Sequence, residues 1–240
     1  MFDILKWLDD APIKLVAGVG DPESGGCWMS ALSIYAGSDW SDHPPCVCHV
    51  IRRLCIAIND MLPSDDSRGR VIQPHILDPV GTATEDDSVI EARLWHLINA
   101  AAKRFVPFVM ESGGLHDLAA SLRNMPKLTP ENWSLAQGEL RAAAAAAADD
   151  DAVFASHVAR AATRAADAFY VAADIASHVA AYAADYAADH AIHDRANAAR
   201  EAFGRDVVMP VILELCQIGS KIPVEPSCDE LAMRRVTQTV

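Results

Sequence analysis

The sequence predicts an all-α protein, a multi-helix bundle that includes one long Ala-rich helical hairpin. Three observations lead there. Apolar residues recur three or four positions apart through most of the chain, which is the helical period. No stretch alternates polar and apolar residues long enough to build a sheet, and "IKLVAGVG" is the single tempting strand. In the second half alanine, the best intrinsic helix former, dominates and is broken by evenly spaced polar residues.

The elements follow in order. "GGCWMSALSIYAG" predicts an apolar helix entered through Gly25 and Gly26 and closed by Gly37. In "SDHPPCVCHVIRRLCIAINDMLP", Ser41 or Asp42 is placed to cap a helix whose first turn holds Pro44 and Pro45 and which Pro63 ends. Val50, Ile51, Leu54, Ile56 and Ile58 give that helix an apolar side; Arg52, Arg53 and Asn59 give it a polar one. "SRGRVIQPHILDPVGT" is a shorter segment interrupted by Pro74 and Pro79. "EDDSVIEARLWHLINAAAKRFVPFVME" predicts a long helix with acids at its start, where the helix dipole favours them. "LHDLAASLRNM" is a short helix stopped by Pro126.

At 100° per residue, Arg160, Arg164, Asp167, Asp174, His178, Asp185 and Asp189 fall on one stripe of the Ala-rich part. Val171, Ile175, Val179, Tyr182 and Tyr186 form another beside it. Asp149 to Asp151 mark a break, Gly204 a C-terminal stop, and "RDVVMPVILELCQIG" a last apolar helix. Residues 1–128 then form an N-terminal helical region, 129–220 the Ala-rich hairpin and last helix, and 221–240 a tail, within one compact unit. The Ala face suits close approach of a second helix, in the chain or in a homodimer.

A chain of 240 residues with 51% hydrophobic content can bury a substantial core. Its formal net charge of -13 argues against direct nucleic-acid binding and against anionic membranes, both of which need clustered Lys and Arg. No apolar run reaches the length of a membrane span, and the acidic start "MFDILKWLDD" is unlike a signal peptide. The expected compartment is the cytoplasm, with six reduced cysteines.

Residues 23–55 carry the densest chemistry. "VAGVGDPESGG" has Gly18 and Gly20 of a G-x-G-x-x-G turn, but Glu23 stands at the third glycine, so a plain loop is expected and no cofactor. "SGGCWMSA" resembles the C-G-[SA]-C-[WY] signature of papain-like cysteine proteases at Cys27-Trp28, with Ser24 in place of the first cysteine. The "DHAIH" at 189–193 sits in a helical pattern rather than on the sheet such enzymes use. His43, Cys46, Cys48, His49 and Cys55 are possible metal ligands. C-x-C chelates poorly, however, and Cys216 and Cys228 stand alone, so free thiols in a core are expected. Asp185, Asp189 and His193, with His190 and Asp194, lack the Glu-x-x-His pattern of di-metal bundles and read as a solvated stripe.

"CWMSALSIYAG", "WSDHPPCVCHVIRRLCIAIND" and "PVGT", with the Ala-rich tail, resemble an uncharacterised group of bacterial and phage proteins. Members share a C-W-M helix, an A-G-x-x-W-S-D-x-P turn, an N-D before a short loop and a P-x-x-x-G-T ending; His49 stands here where they have proline. The group has no established activity, so the resemblance implies no catalytic residue. It does imply that Trp40, Ser41, Asp42 and Pro44 form a specific turn, and Trp40, Ser41, Asp42 and His43 are the candidate binding residues. The expected function is therefore a non-catalytic helical binding or adaptor protein with a protein partner, basic or nucleic-acid-binding. An inhibitor of a host defence complex is one instance. The alternative is a small thiol- or metal-dependent enzyme centred on Cys27 to Cys55.

Overall fold

In a computed structural model, residues 14–21, 24–112, 114–136, 138 and 193–223 are described. Among them the chain is mostly helical, as expected, with one two-stranded sheet. The Ala-rich hairpin, its stripe from Arg160 to Asp189, and Cys228 lie outside the described residues.

The tempting stretch is not a strand along its length: Leu15 makes an isolated bridge to Gly26, and Gly20 opens a minimal hairpin, β1 (Gly20–Asp21) against β2 (Gly25–Gly26). Glycine is required at the crossing. Gly25 has φ 111°, and a Cβ there would lie 2.3 Å from the Lys14 carbonyl oxygen. The hairpin feeds α1 (Trp28–Tyr35), whose six buried residues include Trp28, Met29 and Leu32.

Next, α2 (His49–Met61) lies at the centre, touching α1, α4 and α8. Its start is the first correction. The helix begins at His49, not at Pro44 or Pro45, and no side chain caps it. Residues 46–48 are instead threaded through the core. The Cys46 carbonyl accepts from the Gly81 and Ala83 N–H groups at 3.0 and 3.3 Å, and the Cys48 N–H donates to Thr82 Oγ1 at 3.1 Å. A backbone already committed to residues 81–83 cannot also form a helical turn. Asn59 is the second correction: expected on the polar face, it is fully buried. Its Oδ1 accepts from the Trp28 N–H at 3.2 Å, and its Nδ2 donates to the Val16 carbonyl at 2.8 Å. It thereby satisfies an orphan N–H at the start of α1.

α3 (Asp65–Ile72) is capped by Ser64 and runs into a 3-10 turn containing Pro74. α4 (Asp87–Ala100), capped by Asp86, continues through a π-turn at Ala101–Phe105 into α5 (Val106–Ser112). α6 (His116–Asn124) folds back on α5. α7 (His193–Phe203) passes through a second π-turn, Gly204–Val208, into α8 (Met209–Gln217). Gly204 therefore does not stop the helix. It lets the rod approach α2, since a Cβ there would sit 3.2 Å from Leu62 Cδ2.

The two π-turns share a cause. Pro107 and Pro210 each lie two residues beyond one, and a proline ring clashes with the carbonyl four residues back, at Lys103 and Asp206. Widening the turn relieves that clash without ending the helix. The two π-turns pack against each other, sealed by Phe203 between Phe105 and Phe108 at ring distances of 5.9 and 4.7 Å. No helix among the described residues is long and apolar enough to cross a membrane.

Candidate functional site

The turn at Trp40–His43 is built on the hairpin and α1. The Trp40 ring lies over Gly26, where a Cβ would be 2.6 Å from its Cζ2, and its Nε1 donates to the Gly20 carbonyl at 3.3 Å. Ser33 Oγ, buried on α1, donates to the Ser41 carbonyl at 2.7 Å. Ser41 Oγ accepts from the His43 N–H at 3.1 Å, so it closes this turn and caps no helix. The Asp42 carboxylate bonds the His43 ring Nδ1, and His43 is exposed. The four residues named from the sequence therefore share one surface: Ser33 and Gly26 hold the Ser41 backbone and the Trp40 ring, and His43 is held within the turn by Ser41 and Asp42.

The thiols lie below it. Cys27 is the N-cap of α1, and its Sγ accepts from the Ser30 N–H at 3.3 Å. A helix N-terminus stabilises a thiolate. Burial is the larger effect here: it raises the Cys27 pKa, the nearby Asp42 charge adds to that, and the Ser30 hydrogen bonds only partly oppose it. Burial likewise raises Cys46, puts Cys55 well above the ordinary thiol range, and pushes Cys216 up to about 12. All five described cysteines are buried and unpaired. His49 moves the other way: burial lowers its pKa, and Arg52, Arg53 and Arg93 reinforce this. Among the described residues no group of three or more His, Cys, Asp and Glu could hold a metal ion.

Motifs distant in sequence meet here. Thr82, of "PVGT", accepts from the Cys48 N–H while its hydroxyl donates to the Pro79 carbonyl at 2.6 Å. Arg93 is buried and joins the Thr82 and Ile218 carbonyls at 2.7 and 2.8 Å. The short motifs therefore assemble one structural knot.

A second place was missed by sequence reasoning. An open groove of about 510 Å³ is lined by His96, Asn99, Lys103, Arg104, Arg123 and Lys127. It runs on into a hollow of about 310 Å³ that shares Lys103, Arg104 and Arg123 and is bounded by Phe108, Val207, Pro210 and Asp206, whose carboxylate is paired with Arg205. Asn99 builds one wall by bonding both the N–H and the carbonyl of Leu128. Arg104 Nη1 and His96 Nε2 lie 2.9 and 2.8 Å from the two oxygens of Glu214, and Arg123 holds Glu111 through both its terminal nitrogens. "AAKRFVP" was the only local signal; nothing in the sequence says that Arg123 and Lys127 fold back beside it.

Comparisons with family models, with curated proteins and with solved structures find no match.

Proposed function

We propose that this chain is a non-catalytic helical binding protein that engages a protein partner through the Trp40–His43 turn. One observation carries the reading: the densest chemistry of the sequence divides into thiols buried beneath the surface and a polar turn held rigidly on it. A thiol raised by burial is a poor nucleophile, whereas a preorganised turn loses little entropy on binding. The net charge of -13 favours a partner with a basic face, nucleic-acid-binding proteins and a host defence complex among them. The second reading, a thiol enzyme, draws on Cys27 alone, seated at a helix N-terminus near Asp42.

The test is affinity capture from the native source, followed by rebinding with purified components. Asp42→Ala with His43→Ala should abolish capture, and Cys27→Ala should retain it. Capture that survives the turn variants refutes the reading. Loss of a measurable activity in Cys27→Ala alone would establish the second one.

A further inference from the structure

We infer that the groove between α4–α5 and α6 is a binding site for a small molecule bearing a linear di- or triphosphate. This goes beyond the partner-binding turn, on a different face built from other residues. Four Lys and Arg side chains line the groove, and two carboxylates, Glu111 and Glu214, balance them only in part. Lys127 makes no ion pair among the described residues, and Lys103 spends one donor on the Met125 carbonyl at 2.6 Å and keeps the others. This cluster of basic side chains stands apart on a chain of net charge -13 and makes a local positive field that attracts anions.

The donor geometry selects the anion. The fork of Arg123 is filled by Glu111, so the groove does not offer it to a planar carboxylate. What remains are the ammonium groups of Lys103 and Lys127, point charges that line the groove with Arg104, itself paired with Glu214, and suit tetrahedral oxyanions. The volume of about 510 Å³ lies within the usual range for small-molecule sites. Both π-turns border the same cleft, Lys103 and Arg104 coming from one and Val207 from the other. π-turns recur at functional sites because they reorient side chains within a helix.

Isothermal titration of the full chain with sodium tripolyphosphate at low ionic strength tests this. The expected result is saturable binding, weakened roughly tenfold or more in Lys103→Gln/Lys127→Gln, the loss of at least one charge-assisted hydrogen bond. Lys14→Gln, elsewhere on the surface, should bind as the parent does. Absence of binding, or binding unchanged in the double variant, overturns the inference. Hexaglutamate binding more tightly than tripolyphosphate also overturns it, in favour of an acidic peptide. The inference accepts the non-catalytic reading but fails separately from it. Conversion of tripolyphosphate to orthophosphate, blocked by the double variant, would refute that reading and uphold the site.

Discussion

Asn59→Ala separates the buried knot from the amphipathic helix that the residue pattern suggests. On a solvated polar face the change would be nearly silent. In the structure Asn59 is fully buried and serves three groups: the Trp28 N–H, the Val16 carbonyl and the Asp60 carboxylate, at 3.2, 2.8 and 3.1 Å. Alanine leaves the Trp28 N–H without a partner inside the core, at about 1–3 kcal/mol. Losing the part-buried bond to Val16, which precedes the hairpin, adds about 0.5–1.5 kcal/mol. The better helix propensity of alanine returns about 0.5 kcal/mol. The net cost is about 1–4 kcal/mol, or roughly 2–16 °C in the thermal midpoint of a chain this size. Circular dichroism melting measures the midpoint, and native-state hydrogen exchange reads the Trp28 amide, which should lose protection ahead of the α2 amides. A midpoint within about 1 °C of the parent, with Trp28 still protected, would refute the assignment.

Gly204→Ala sets helix propensity, about 1 kcal/mol in favour, against a methyl 3.2 Å from Leu62 Cδ2 and 3.3 Å from Met61 Cε. Both neighbours end flexible side chains, so alanine should be within about 1 kcal/mol of neutral, whereas Gly204→Leu should cost about 1–3 kcal/mol by overpacking; urea denaturation compares them. Hydrogen bonds from Arg70 and Ser67 hold Glu201 at a pKa of about 2, below its ordinary 4.5. Because the folded value is depressed, its stabilisation is fully present above pH 4.5 and is lost as pH falls towards 2. Arg70 is 61% exposed, so screening limits the gain to about 1 kcal/mol; Glu201→Gln should flatten that part of the acid-stability curve. The pKa values of Cys27, Cys46, Cys55 and Cys216 are raised, Cys216 to about 12, so alkylation of these four at neutral pH should be slower than that of a free thiol and should accelerate only with unfolding. A cysteine among Cys27, Cys46 and Cys55 that reacts in the folded protein faster than glutathione would contradict the burial argument.

Helix existence was legible because it depends on local spacing. The apolar repeats at Leu94, Leu97 and Phe105, the Asp86 cap and the stops near Gly37 and Pro126 all act within a turn or two. The Trp40–His43 turn was expected from the resemblance alone; local spacing assigned its Ser and Asp to the wrong task, the capping of α2. Ser41 bonds the next backbone N–H but one, and α2 starts further on because residues 81–83 capture Cys46 and Cys48.

The sequence by itself determined the helical class, the acidic balance and most helix ends, since propensity, capping and periodicity are short-range. Tertiary structure alone decided which polar residues go inside, as Asn59, Thr82 and Arg93 do, because burying a polar group depends on partners 11 to 125 residues away. It alone decided that Gly204 continues a helix, because close packing against Leu62 outweighs a local stop signal. It also made the basic groove, because charges from the first π-turn and from α6 and the residues after it become one field only when the chain folds back on itself.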